Sequence, residues 1–461
     1  MEKRQENKLG IMPMGKLLVG MSVPLMISML VQALYNIVDG IYVSQISEDA
    51  LTAVTLGFPI QILMISVASG TGVGINALLS RRLGQKRYKE ANMVATHGLV
   101  LAVLSSIIFL GFGLFASRGF IAVFTDDEAL IEMGTEYLKI CSTMSIGVFL
   151  GMTNERLLQV TGRTLLSMVS QLTGAIINII FDPILIFGLY GFPEMGITGA
   201  ALATVGGQII GCMVSLCCNV FLNKDIKIKL RGFKPDVSII AGIYKVGFPS
   251  MIMQAIGSIM LVGMNAILIM FSTTHVSVFG AYFKIQSFVF MPVFGLTQGL
   301  IPIIGYNYGA RNAERIKSAT KLSVIIAFVI MFMGTICFQV FPDFLLGMFN
   351  ADDNMMEIGR VALKIISLSF SLAGISIVLI SVFQGLGNGI YSLFNSFMRQ
   401  LVVLLPAAFL LARYVSDSAV WLAFTVAEVV SLVITVVLYT KIYKSKIKPL
   451  EMPEKSAQGA V

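Results

Sequence analysis

Twelve apolar runs, each about as long as a bilayer is thick, follow one another through this 461-residue chain with short polar breaks between them. A helix needs roughly 20 predominantly apolar residues to cross the hydrocarbon layer, and backbone inside that layer must satisfy its own hydrogen bonds. Runs punctuated by charge, Gly or Pro predict helices near 15–43, 51–79, 93–116, 133–160, 164–189, 196–222, 241–270, 276–305, 319–342, 356–385, 390–412 and 417–443. They use up the length, so no sizeable soluble domain fits between them. Composition agrees: 56% hydrophobic against 13% charged residues and a mean hydropathy of +0.86 do not suit a soluble surface. The expected fold is an all-α polytopic membrane protein with twelve transmembrane helices.

Two His, one Trp and five scattered Cys do not supply a usual His/Cys metal centre or haem-ligand set, so no cofactor, no metal and no enzyme chemistry are expected. Cys141, Cys212, Cys217, Cys218 and Cys337 lie in apolar stretches and read as small core residues. The net charge of +8 does not imply nucleic acid, because the basic residues cluster between apolar runs and not on one aromatic-interleaved face. The N-terminus is polar through Asn7 and its first apolar run lacks a cleavage-like end, so that run reads as a retained span.

Charge placement predicts the orientation. Lys3, Arg4, Lys8 and Lys16 precede the first run; Arg81, Arg82, Lys86, Arg87 and Lys89 follow the second; Lys224, Lys227, Lys229, Arg231, Lys234 and Lys245 join the sixth and seventh. Arg311, Arg315, Lys317 and Lys321 follow the eighth, and Lys441, Lys444, Lys446, Lys448 and Lys455 end the chain. These 24 basic residues share one side, against Arg118 and Arg413 among the acids of the other, which puts both termini and the central linker in the cytoplasm of a cell (inner) membrane protein.

The chain repeats itself. Pro24 falls on Pro249, 225 residues later, and the same offset carries Ile60-Gln61 to Ile285-Gln286, Gly84 to Gly309, Gln159 to Gln384 and Gly162 to Gly387. Between 119–140 and 344–365 seven of 22 positions are identical, including Asp127/Asp352, Glu132/Glu357, Gly134/Gly359 and Lys139/Lys364. Roughly one or two matches would arise at random composition. Six spans per half is an even number, so the halves run parallel about an axis along the membrane normal, as two pseudo-symmetric six-helix lobes. The expected division is 1–222 for the first lobe, 223–240 for a basic cytoplasmic linker, 241–443 for the second lobe and 444–461 for a cytoplasmic tail. Transporters place substrate sites at such repeat interfaces.

Ionisable groups deep in a span cost roughly 2.5–3.5 kcal/mol on insertion scales, so each needs a partner, a watery cavity or a function. Tyr35 and Asp39 share a face of the first helix, as do Asn178 and Asp182 of the fifth, and both pairs rise to comparable heights. If the pairs meet, two carboxylates sharing one apolar site cannot both ionise cheaply, and the pair is suited to take up and release a proton. With amide and hydroxyl oxygens it also suits a small cation such as Na⁺. The plainer reading puts Asp39 at the water interface and Asp182, before Pro183, at a helix break. Arg399 and Glu428 nearly agree in depth and are expected to form a structural ion pair. Lys284 has no partner in sequence and reads equally as a cavity charge or a snorkelling lysine. Glu155-Arg156 is expected as a solvated pair at the cytoplasmic end of its span, with His97 and His275 near span ends.

The 27 Met and 31 Phe are mostly core or lipid-facing, with an adaptable apolar pocket among them. Gly70-Thr71-Gly72-Val73-Gly74 has no preceding strand and no Lys-Ser/Thr ending, so close helix packing explains it better than phosphate binding. Pro24, Pro59, Pro183, Pro249, Pro292, Pro302 and Pro406 are expected to kink their spans. No Walker motif appears, so the energy is expected from an ion gradient.

Pro24, Tyr35-Asn36-Ile37-Val38-Asp39, Arg81-Arg82-Leu83-Gly84, Gln159-Val160-Thr161-Gly162, Gly199-Ala200-Ala201-Leu202-Ala203-Thr204 and Trp421-Leu422-Ala423-Phe424 before Glu428 together give a chain that resembles the multidrug and toxic compound extrusion (MATE) family over nearly its whole length. The resemblance is nearest to the bacterial DinF/MepA-like branch. It implies a V-shaped pair of lobes that rock between outward-open and inward-open and export small organic, often cationic and lipophilic, compounds by antiport against H⁺ or Na⁺. It further implies that Tyr35, Asp39, Asn178 and Asp182 are the ion-coupling residues, with Thr204 beside them. The NorM-like branch has acids in spans seven and ten, where this chain carries Gln254, Ala255 and Ile256 and the Ala373-Gly374 region, which speaks against a second-lobe sodium site. The expected partners are the substrates, the driving ion and the lipid bilayer, around a monomer. The alternatives are a lipid-linked precursor flippase of the same superfamily, which would show more basic residues within spans, and an intramembrane lipid-modifying enzyme, which would need a clustered nucleophile or metal ligands.

Overall fold

The computed structural model describes residues 7–229, 231–349 and 351–451; Lys3, Arg4, Lys455 and the tail beyond 451 lie outside the described residues. Those described are overwhelmingly helical, with no strand among them. Helix α1 is Met14–Ile46, α2 Glu48–Gly84, α3 Tyr88–Phe115, α4 Glu128–Thr143, α5 Ile146–Val160, α6 Thr164–Phe187 and α7 Gly196–Cys217. In the second half α8 is Val237–Leu268, α9 Thr273–Gly309, α10 Ala313–Val340, α11 Asp353–Ser367 and α12 Phe370–Gly385. Then α13 is Gly389–Phe397, α14 Leu405–Tyr414 and α15 Leu422–Ile442.

Each predicted run is occupied by helix. The helices outgrow the apolar runs because their polar ends are good helix ends. The Ser47 hydroxyl accepts from the Ala50 amide at 2.9 Å, Glu48 and Asp49 fill the first turn of α2, and Arg81 and Arg82 fill its last. Two runs predicted as single helices are broken instead. The fourth is divided between α4 and α5, and the tenth between α11 and α12, which meet at a 47° bend. At these breaks hydroxyls compete for the helix's own carbonyls: Thr143 Oγ1 donates to Lys139 O at 2.7 Å and Ser369 Oγ to Ile366 O at 2.7 Å. Ten helices among the described residues are long and apolar enough to cross a membrane, and eleven with the bent pair.

The repeat is written into the backbone. Helices α2 and α9 both have 37 residues, α3 and α10 both have 28, and each pair starts 225 positions apart. Ser47 and Ser272 cap their helices in the same extended conformation, as do Asp127 and Asp352. The left-handed residues Lys86 (φ 60°) and Arg311 (φ 57°), and Gly162 (φ 77°) and Gly387 (φ 78°), also correspond.

Contacts divide the chain into two units, one holding Ile27–Met251 and the other Lys8–Met26 together with the chain from Ile252 onward. The changeovers lie inside α1 and α8, two residues past Pro24 and Pro249, and not in the 223–240 segment expected as the boundary. Glycine is the reason. Gly70 and Gly74 of α2 meet Gly247 and Ile243 of α8 so closely that a Cβ on Gly74 would run into the Ile243 carbonyl, which ties the start of α8 into the first unit. Their repeat equivalents Gly295 and Gly299 of α9 meet Met26 and Ser22 in the same way and tie the start of α1 into the second. The Gly70–Gly74 run is thus a helix-packing surface. The first unit's core includes Ala50, Ala53, Val54, Tyr137, Ile186, Ala200 and Val205. In the second, the Phe338 and Phe370 rings pack edge to face 5.0 Å apart.

Candidate functional site

The first-unit cluster is assembled by the contact between α6 and α7. A Cβ on Gly207 would stand 2.6 Å from the Gly174 carbonyl oxygen and 3.2 Å from Asn178 Cβ, so only paired glycines allow this approach. It sets Thr204, just under one turn before Gly207, against Asn178, one turn after Gly174. The Asn178 amide Nδ2 then donates to Thr204 Oγ1 and to Asp182 Oδ1, each at 3.3 Å. Helix α1 brings the other two residues. The Tyr35 hydroxyl lies close to Thr204 and to both carboxyls, and the carboxyls of Asp39 and Asp182 are neighbours. Tyr35, Asp39, Asn178, Asp182 and Thr204 therefore lie together in one cluster. Asp182 is fully buried and Asn178 nearly so, while Asp39 and Tyr35 are half-buried.

The cluster is rich in acceptors and poor in donors. Asp39 Oδ1, Asp182 Oδ2 and Asn178 Oδ1 are enclosed and have no hydrogen-bond partner among the described residues. Two carboxylate oxygens bond each other only through a shared proton or a cation between them, so the arrangement is incomplete without one of these. Beside it lies a layer the sequence reading passed over: Gln61 Nε2 donates to the Tyr137 hydroxyl at 3.0 Å and approaches Cys141 Sγ at 3.8 Å, with Tyr137 in electrostatic contact with Asp39. A glutamine inside an apolar run was the available signal, but its partners are 76 and 80 residues away.

The second unit has no counterpart of this cluster. Adding 225 to Tyr35, Asp39, Asn178, Asp182 and Thr204 gives Met260, Met264, Val403, Ala407 and Val429. It has instead a cavity of about 460 Å³ whose lining includes Gln254, Gln286, Gln384, Gln400, Arg399 and Glu428. Arg399 Nη1 donates to Glu428 Oε1 at 2.8 Å. Lys284 is exposed and is not among the residues lining this cavity.

Arg156 is not solvated as expected, and Glu155 is half-buried. Arg156 is only 8% exposed and donates to Gln159 Oε1 at 2.8 Å, and Glu155 Oε2 accepts from Gln171 Nε2 at 2.8 Å. A tightly packed α5 face explains it, since a Cβ on Gly72 would lie 3.0 Å from Arg156 Cγ. His97 Nε2 accepts from the Asp236 amide at 2.8 Å and holds the 223–240 segment to α3. Cys217 is exposed, unlike the buried Cys141 and Cys212. Among the described residues no three His, Cys, Asp or Glu side chains stand together as a metal site.

The family described as MatE matches this sequence twice, over residues 24–184 and 249–410, with the two matches starting at the repeat-related Pro24 and Pro249. The multidrug export protein MepA of Staphylococcus aureus is 24% identical over 430 residues, 93% of this chain and 94% of that protein. A structure described as the outward-facing conformation of a multidrug resistance MATE family transporter of the MOP superfamily superposes with a TM-score of 0.91 at 26% identity, covering 98% of this chain and 100% of that one. A MOP superfamily transporter from Pyrococcus furiosus, with a binding pocket described as of reverse polarity, superposes at a TM-score of 0.90, 26% identity and the same coverage.

Proposed function

Since this chain belongs to the MatE family of multidrug efflux transporters, we propose that it exports small organic, cationic and lipophilic compounds by proton antiport, with Asp39 as the main coupling carboxylate. The observation that carries the reading is the facing pair Asp39 and Asp182, enclosed with unpartnered oxygens and flanked by Asn178, Thr204 and Tyr35. A coupling group must be charged in one state and neutral in the other, and a carboxylate pair that shares a proton does this with one ion. With the pair unprotonated, its negative charge attracts an organic cation to the first unit. A proton arriving from outside neutralises Asp39, the attraction falls, and the cation leaves outward; loss of the proton to the cytoplasm restores the pair. Asn178 and Thr204 hold the acceptors in place, and α1, which carries Asp39 beyond Pro24, is the element whose bending answers the change in charge. The two units rock to alternate access, both termini are cytoplasmic in a cell (inner) membrane, and one copy suffices.

The test is efflux from energised vesicles with a fluorescent organic cation, comparing an imposed pH gradient with an imposed Na⁺ gradient. Asp39→Asn keeps size and hydrogen bonding but cannot titrate, so it abolishes gradient-driven export at matched protein level, and Asp182→Asn weakens it and moves its pH dependence. Normal proton-driven efflux by Asp39→Asn sinks the assignment. Drive by Na⁺ alone replaces the proton with Na⁺ at the same oxygens.

A further inference from the structure

The second-unit cavity has a chemistry of its own. In the first unit α6 and α7 touch at small residues, Gly174 among them, and Ala203 lies beside Thr204. In the second unit the repeat equivalents of Gly174 and Ala203 are Arg399 and Glu428. Correspondingly, the helices that carry them pack less closely than α6 and α7 do. Residues Met398–Leu404, including Arg399 and Gln400, form a wide π-helical turn, where the equivalent stretch of α6 is ordinary α-helix. Such turns re-aim side chains and recur at functional sites.

The charge pair is half-satisfied. One hydrogen bond joins it, and Arg399 Nε and Glu428 Oε2 are enclosed with no hydrogen-bond partner among the described residues. What is left over is one cationic donor and one anionic acceptor, in the wall of a cavity large enough for a drug-sized molecule and lined also by Met260, Phe290 and Phe294. A lone cation would serve Glu428 and strand Arg399, and a lone anion the reverse. A head group bearing both a carboxylate and an ammonium serves both, parting the pair as it enters, while an aromatic body rests on the Met and Phe wall.

We propose that this cavity is a binding site for small zwitterions with an aromatic body, the ligand carboxylate on Arg399 and the ligand ammonium on Glu428. The proposal rests on the export reading of the chain but not on its first-unit coupling site.

Binding to the full-length protein in detergent, with no gradient, is read by fluorescence of three matched probes: Nε-dansyl-lysine, dansylcadaverine, which is the same molecule without the carboxylate, and N-dansyl-6-aminohexanoic acid, which lacks the amine. The wild type binds the zwitterion roughly tenfold or more tightly than either relative, the worth of a hydrogen bond to a charged group. Arg399→Gln removes its advantage over dansylcadaverine, Glu428→Gln its advantage over the acid, and the double variant levels all three. Equal affinities of the three probes for the wild type, a measurement that needs no variant to fold, overturn the proposal, as does a zwitterion preference that survives Arg399→Gln. Because no gradient is applied, failure of Asp39 as the coupling group leaves these affinities where they are.

Discussion

At the scale of single residues, the charges inside the membrane region behave as two different devices. Asp39 and Asp182 are like charges brought face to face, so they hold together only with a proton or cation between them. Arg399 and Glu428 are opposite charges that neutralise each other, with side chains 22% and 13% exposed. Removing one member of such a pair strands the other, which costs on the order of 3–5 kcal/mol, whereas replacing both with apolar residues of similar volume is far milder. Arg399→Met and Glu428→Leu are therefore each expected to lower the yield of folded, monodisperse protein on size exclusion, and the double variant to recover much of it. A double variant as poor as the sum of the singles would show that the two do not act as partners.

At the scale of elements, helix contact is set by where side chains are missing. The α2–α8 contact through Gly74 leaves no room for even one methyl group, because a Cβ there would meet the Ile243 carbonyl. Gly111 in α3 has nothing within 4 Å of its Cβ position. Gly74→Ala is expected to cost about 1–3 kcal/mol by overpacking and to lower the thermal midpoint in detergent, while Gly111→Ala, which improves helix propensity at an open position, leaves it unchanged or raises it slightly. Equal effects would remove the packing account of how the start of α8 joins the first unit. The same logic places the Asp39–Asp182 cluster: Gly174 and Gly207 admit the approach that puts Asn178 in reach of Thr204.

At the scale of the whole molecule, the expected orientation rests on 24 Lys and Arg in the five segments assigned to the cytoplasmic side against two in the opposite connections. Single cysteines placed within 225–229 should react with a membrane-impermeant reagent only from the cytoplasmic side, and those at 126–128 only from outside. Labelling of both from one side would reverse the topology. By itself the sequence determined the membrane setting, the positions of twelve spans and the 225-residue repeat, because apolar length and residue identity at a fixed offset are local or one-dimensional properties. It also named Tyr35, Asp39, Asn178, Asp182 and Thr204, through helical spacing and a family resemblance. Only the tertiary structure decided that α1 and α8 each begin in one unit and end in the other, that Gln61 and Tyr137 stand beside the carboxylates, that Arg156 is packed away from water, and that Arg399 and Glu428 border a cavity. Those facts depend on which helix faces meet, and the faces that fix α1 and α8 meet where glycine lets two backbones approach, an interaction between residues on different helices that no local pattern records.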